Sequence, residues 1–314
     1  MPTSSLTPQG PARNFVFYLG PFRFESEIDI PELRASTGPG DKQVSIRIGE
    51  VPTTIPGAVP IGTGCYVAAD EYLLDIPETA RYCVRNGNEI RLEIVPDTPI
   101  ENVTTYLLGS CFGALCHQNG LLPLHASAVE FAGSVTAFLG DSGAGKSTLA
   151  ACLRARGLRV VSDDICLLED HANELCVIPV AGWLKLWDQS LQYLGQTPQQ
   201  ANRVYSTDDK FRLFLNDPLG EPLPHPLNHI IFLGRDPDPQ AQPALQPLPL
   251  LDGIAGLMEL TYAGYVPALA GHKSRLFQQC AHVMQQASAW RLSVPWGLDR
   301  MESVLDLLDH EIFS

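Results

Sequence analysis

The run Gly140-Asp141-Ser142-Gly143-Ala144-Gly145-Lys146-Ser147 matches the pattern G-x-x-x-x-G-K-[ST], and its residue types suit it to gripping phosphate. The glycines let the backbone curl so that successive amides point inward at an anion. The helix expected from Ser147 to about Arg156 adds its positive N-terminal end. Lys146 would reach the β and γ phosphates of a nucleotide as a point charge, Ser147 would offer its hydroxyl to Mg²⁺, and Thr148 would complete the cradle. An ordinary glycine turn is the competing reading. The flanks argue against it: FLG before the loop is strand-like, and LAACLRARG after it is an amphipathic helix closed by Gly157.

Two further groups stand near enough in sequence to share that chemistry. The expected strand Leu158–Ser162 delivers Asp163 and Asp164 to its C-terminal end, where ligands sit in open α/β sheets. Successive side chains on a strand diverge, so one carboxylate can face the metal and the loop while the other faces an incoming acceptor. The alternative makes one of them a turn or N-cap residue. His125 lies in the apolar run LLPLHASAVEFAG upstream of the loop. Taken alone it reads as a satisfied core histidine.

From about Leu121 to Glu169 the chain resembles the catalytic domain of the bacterial HPr kinase/phosphorylase family, which phosphorylates a serine of a sugar-transport carrier protein. The family pattern is a His, a strand, a G-[DE]-S-G-x-G-K-S loop, a helix ending in R-G, and a strand ending in an Asp pair. This chain supplies His125, Gly140–Ser147, Arg156-Gly157 and Asp163-Asp164. The spacings are 146 − 125 = 21 and 164 − 146 = 18 residues. The resemblance implies a P-loop, HPr-kinase-like α/β domain using ATP and Mg²⁺. It makes Asp164 the acceptor of the attacking hydroxyl's proton, Lys146 the phosphate ligand and Ser147 a magnesium ligand. Asp163 would support the metal, and His125 would stand near the transferring phosphate.

Two features depart from that pattern. The family places a metal-binding Glu shortly after the Asp pair, whereas Val180–Trp187 here contains no acid before Asp188. The basic loop of the phosphorolysis function has one candidate, Asp209-Lys210-Phe211-Arg212. The later part of the chain is similar instead to a looser group of HPr-kinase-like proteins with K-L-W, a short helix and D-K-x-R. Some of these accompany ribosomally made peptides, including lasso peptides, and phosphorylate a serine of the precursor.

These motifs need elements to position them, and the composition allows a sizeable core. The chain has 314 residues, of which 45% are hydrophobic and 18% charged, enough for two domains at ~100–200 residues each. Residues 1–13 read as a disordered tip. From Phe15 to about Val95, short strand-like segments broken by Gly, Pro and Asn suggest a small antiparallel β module, followed by a linking helix that ends at Asn119-Gly120. The expected domains are 1–120, β-rich with the linking helix, and 121–314, carrying the phosphate chemistry. In the second, LCVIPVAGWLKLW and DKFRLFL read as strands, DQSLQYLG as a short helix and Asp236–Pro249 as a surface loop. Helices are expected over Leu250–Leu260, His272–Ala289 and Leu298–Leu308.

Lys plus Arg total 21 against 35 Asp plus Glu, a formal charge of −14. That disfavours a broad nucleic-acid or anionic-membrane surface, so an anionic ligand requires a local cradle. The eight cysteines include no Cys-x-x-Cys pair, which argues against a zinc site or disulfide framework. No stretch reads as a signal peptide or membrane span, and a cytoplasmic protein is expected.

Lys185, Lys210 and Arg212 lie on expected strands. They either clamp a γ-phosphate or an acceptor carboxylate, or cover a solvated strand face. Trp183 and Trp187 are core residues or line an acceptor groove. The reading favoured is a kinase acting on a serine of a peptide or small protein, with self-association plausible from the resemblance. A small-metabolite kinase and a nucleotide-binding regulatory module without transfer are the alternatives.

Overall fold

A computed structural model of the chain describes residues 14–34, 36, 38, 40–180, 182–197, 202–207, 209–215, 224–238, 240–294 and 297–314. The tip 1–13 and residues 217–223 of the Pro-dense stretch lie outside the described residues. The chain divides into two compact units. One comprises Met1–Leu121 with Val204–Asp208 and Tyr265–Lys273; the other comprises Leu122–Arg203, Asp209–Gly264 and Ser274–Ser314.

The first unit is built on strands β1 (Phe15–Leu19), β2 (Phe22–Ser26), β3 (Lys42–Ile48), β4 (Val59–Ile61), β5 (Cys65–Val67), β6 (Glu71–Ile76), β7 (Ala80–Arg85) and β8 (Glu89–Ile94). They form one sheet in the order β1-β2-β3-β8-β7-β6-β5-β4. The expected antiparallel module is therefore corrected to a mixed one, because β3 pairs parallel with both β2 and β8. Alternation buries one side of β3, at Val44 and Ile46, whereas β6 and β7 each bury three residues in succession. The Asn86-Gly87 turn between β7 and β8 places both residues at positive φ, 52° and 67°, the conformation tight hairpins demand.

The linking helix runs as α1 (Ile100–Tyr106), a π-helical turn (Leu107–Cys111) and α2 (Phe112–Gln118). Phe112 packs edge-on against Phe22 at 5.7 Å. The hydroxyl of Tyr82 donates to the carbonyl of Val103 at 3.1 Å. The two later segments belong to this unit because their tyrosines do: Tyr265 meets Tyr72 hydroxyl to hydroxyl at 3.0 Å, and Tyr205 packs on Tyr106. Nothing in the local sequence signals such long-range membership.

The second unit begins with β9 (Leu122–Leu124), β10 (Ala126–Phe131), β11 (Ser134–Leu139), α3 (Lys146–Ala155), β12 (Arg159–Ser162), β13 (Cys166–His171) and β14 (Glu174–Ile178). Then come β15 (Trp183–Trp187), α4 (Asp188–Tyr193), β16 (Asn202–Arg203), β17 (Lys210–Phe214), β18 (His225–Arg235), β19 (Ala244–Pro247) and α5 (Leu250–Glu259). After α6 (Tyr265–Leu269) of the first unit, the chain closes with α7 (Lys273–Gln286), β20 (Ser288–Val294) and α8 (Met301–Glu311).

The main sheet runs β12-β10-β11-β18-β14-β13-β9, with β20 beside β18 and β19 beside β20. Among the described residues of this sheet, only β11-β18 and β18-β20 are parallel pairs. The strand β19 corrects the expected surface loop; its pairing with β20 supplies the hydrogen bonds that its Pro-rich sequence does not advertise. Strand β11 is apolar almost throughout because both faces are covered. Val135, Ala137 and Leu139 face a core shared with α5 and α7, while Phe138 faces one shared with α3 and α8. A second, three-stranded sheet, β15-β17-β16, packs Leu184, Leu186 and Phe211 into the α3/α8 core. No described helix is long and apolar enough to cross a membrane.

Candidate active site

Strand β10 runs antiparallel to both β11 and β12, with Ala126 opposite Leu139 and Ala128 opposite Ser162. The start of β10 therefore lies at the same sheet edge as the ends of β11 and β12. His125 precedes β10, the glycine loop follows β11, and Asp163-Asp164 follows β12. Three motifs separated in sequence meet there by topology alone.

The loop reaches α3 through Gly143 and Gly145, whose φ values of 85° and 96° are left-handed. Asp141, Ser142, Gly143 and Ala144 are exposed, and the N–H of Ala144 donates to the carbonyl of Asp141 at 3.0 Å, which holds the loop in its curl. Lys146 is 6% exposed and its ammonium donates to the carbonyls of Gly140 at 2.7 Å and Asp141 at 3.0 Å. Burial lowers its pKa, opposed by the nearby charges of Asp164 and Asp163. Ser147 hydrogen-bonds the Asp163 carboxylate. Thr148, by contrast, turns to α4, its hydroxyl 2.8 Å from that of Ser190.

The Asp pair sits just beyond β12 rather than on it. Asp164 has φ 70°, and the N–H of Ile165 bonds back to the carbonyl of Asp163 at 2.9 Å, closing a three-residue turn. A non-glycine residue in this region is strained by about 1–3 kcal/mol. The tight turn, not strand alternation, gives the two carboxylates different surroundings.

Asp163 is buried and accepts from the Ser127 hydroxyl at 2.6 Å and from the backbone N–H of Lys185 at 2.7 Å. Its burial raises the pKa, against the pull of these donors. For Asp164, burial acts upward too, but the charge and hydrogen bond of Lys185 at 2.6 Å, then Lys210 and His125, outweigh it. The group stays well below the usual carboxylate range. Adjacent carboxylates shifted in opposite directions are a pattern of divided roles.

Strand β15 is the edge of its small sheet, and its alternation explains the rest. Leu184 and Leu186 enter the core, while Trp183, Lys185 and Trp187 share the other face with their cross-strand partners Phe214, Arg212 and Lys210. Lys185 is 9% and Arg212 1% exposed, so neither lies on a solvated strand face. The guanidinium of Arg212 donates to the carbonyl of Arg203 at 3.5 Å. Lys210 is half-buried beside the site, its ammonium 5.7 Å from the ring centre of Trp187. Trp183 is buried and Trp187 exposed.

His125 occupies the single-residue corner between β9, which pairs with β13, and β10, which pairs with β11 and β12. This join brings opposite parts of the main sheet together, so the sheet curls. The backbone N–H of His125 donates to the carbonyl of Leu260 at 2.8 Å, and its ring packs edge-on with Tyr262 at 5.8 Å. Its Nε2 is 3.7 Å from Oδ1 of Asp164. Burial and the charge of Lys146 push its pKa down to about 4, with Asp164 opposing, so the imidazole is neutral near pH 7.

Sequence reasoning overlooked Ser127 and the two-handed grip of Lys185. A hydroxyl two residues after His125 in an apolar strand was the available signal for the first. The second depends on which N–H an edge strand leaves outside its ladder. As to metal, Ser147 and Asp163 are hard oxygen donors that touch each other, which suits Mg²⁺ held by one carboxylate, phosphates and water. No group of three or more His, Cys, Asp or Glu is placed for a metal among the described residues. Asp188, the first acid after Val180–Trp187, accepts instead from Gln192 at 2.6 Å.

No family model matches this chain, and no curated protein matches it. Among solved structures it is similar to the HPr(Ser) kinase/phosphatase from Coxiella burnetii. That match covers 60% of this chain and 90% of the other, at 16% sequence identity and a TM-score of 0.33. At that identity and TM-score the likeness assigns no family to this chain.

Proposed function

We propose that the chain is an ATP-dependent phosphotransferase that moves the γ-phosphate to a serine hydroxyl of a peptide or small protein. The observation that carries this reading is the convergence, at one sheet edge, of the glycine loop with Lys146, the Asp163-Asp164 turn and His125. Phosphoryl transfer needs positioning, charge neutralisation and one base near the nucleophile, and each has a residue here.

The amides of Gly140–Ser147 and the start of α3 bind the donor's phosphates, with Lys146 leaving its loop carbonyls to neutralise them. Ser147 and Asp163 would hold Mg²⁺, which neutralises charge on the phosphates when bound. In Asp164, Oδ2 belongs to Lys185, and Oδ1 faces His125 beyond hydrogen-bonding distance. Oδ1 is the oxygen that receives the acceptor's O–H. A low-pKa carboxylate suits a loose transition state, in which the proton leaves late and orientation matters more than basicity. Neutral His125 adds a hydrogen-bonding group beside the transferring phosphoryl without adding charge.

The test is incubation with γ-labelled ATP, Mg²⁺ and serine-containing peptides, with the label located by mass spectrometry. Transfer to serine, abolished in Asp164→Asn and Lys146→Ala, supports the reading. Label on a small hydroxylated metabolite replaces the peptide assignment. Nucleotide binding with no transfer to any acceptor reduces the site to a nucleotide-responsive module.

A further inference from the structure

The cations around this site outnumber its carboxylates. Lys146, Lys185, Lys210 and Arg212 stand against Asp141, Asp163 and Asp164, in a protein whose formal charge is −14. Most have evident employment. Lys146 is turned into the loop, Lys185 is matched by Asp164, and Arg212 is buried and bonded to the Arg203 carbonyl.

Lys210 differs. No carboxylate lies within ion-pairing distance of its ammonium among the described residues, and the ammonium lies over the ring of Trp187. It is nevertheless close enough for its charge to bear on His125, Lys146 and Asp164. Trp187, directly opposite it in the ladder, is 48% exposed. An ammonium over an indole presents charge and flat apolar surface together, and a half-buried cation attracts an anion more strongly than a fully solvated one.

We infer that Lys210 and Trp187 form the acceptor-recognition surface of the site, and that the peptide they select carries acidic side chains flanking its serine. This rests on the phosphotransferase reading above. The face they occupy also carries Lys185, which grips Asp164, so a peptide lying on it brings its hydroxyl to the base. Charge complementarity sets the selection: Lys210 meets a flanking carboxylate, and Trp187 covers the adjoining backbone.

The probe is a pair of fluorophore-labelled synthetic peptides with Ala in place of the serine, flanked on both sides by Glu in one and Gln in the other. Anisotropy at low salt reads binding to the full-length protein without requiring transfer. A fluorescent ATP analogue is titrated in parallel. The Glu peptide is expected to bind about tenfold more tightly, with that preference lost in Lys210→Gln. In Lys210→Glu the preference turns toward a Lys-flanked peptide, an inversion that a folding defect does not produce. Trp187→Ala weakens all peptides alike and leaves analogue affinity unchanged, while the two Lys210 variants weaken the analogue as well as changing the peptide preference, because the Lys210 charge reaches Lys146. Equal binding of Glu and Gln peptides by the unmodified protein overturns the inference. So does a Lys210→Gln variant that loses the analogue but keeps the peptide preference, which would assign Lys210 to the donor's phosphates. Failure of the unmodified protein to bind the analogue defeats the phosphotransferase reading separately, since the peptide preference is read on its own.

Discussion

Lys185 holds both carboxylates of the site at once: its ammonium lies 2.6 Å from Oδ2 of Asp164, and its backbone N–H donates to Oδ2 of Asp163 at 2.7 Å. The main-chain bond is possible because β15 is an edge strand, with an N–H free of the ladder to β17. The edge is thereby capped as well as used.

Removing the ammonium strands a buried charge. Both side chains are largely buried, 10% exposed for Lys185 and 15% for Asp164. Lys185→Met should cost about 3 kcal/mol of unfolding free energy, because breaking one side of a buried pair leaves the other uncompensated. Urea denaturation measures this, and Lys185→Met combined with Asp164→Asn should recover part of the loss. Equal stability of the single variant and the parent would show that the pair is worth nothing.

Binding and transfer should separate. Lys146→Ala is expected to weaken the nucleotide at least tenfold in equilibrium titration. Asp164→Asn should leave affinity within about threefold while reducing transfer by about 10²–10⁴, the range for loss of a positioned base. Parallel losses of affinity in the two variants would argue against distinct roles.

His125 should titrate at about 4 in the free protein. Its folded pKa lies below the unfolded value near 6.5, so between those limits the unfolded chain binds a proton that the native state refuses. Its contribution to stability is fully present above about pH 6.5, declines as pH falls, and is lost near pH 4. Histidine NMR, with His125→Asn to assign the signal, reads the pKa. Denaturation of the same variant should show a shallower loss of stability across this window. A midpoint near 6.5 would contradict the burial described here.

The loop helix has a second anchor. Arg156 at the end of α3 pairs with Glu302, Asp306 and Asp309 on α8 at 2.5–2.8 Å. The acidic partners are well exposed, so each pair is worth little, and Arg156→Ala should cost only about 1 kcal/mol. The effect should shrink in high salt, as thermal unfolding at low and high ionic strength would reveal. Salt-independent destabilisation would point to lost packing of the arginine stem instead.

Much of this site is local in origin and therefore legible along the chain. The glycine loop, the helix after it and the strands around it follow from backbone sterics and apolar periodicity, which act over a few residues. So does the alternation of Trp183, Leu184, Lys185, Leu186 and Trp187, which already separates a core face from a polar one. Tertiary structure decided what those faces meet. The antiparallel course of β10 brought His125 to the loop, the turn at Asp164 split two adjacent carboxylates into unlike environments, and edge placement let Lys185 reach both. It also assigned Tyr205 and Tyr265 to the first unit and made a strand of Ala244–Pro247. Each depends on ladder register and burial between distant segments, whose free energy exists only once both partners are in place.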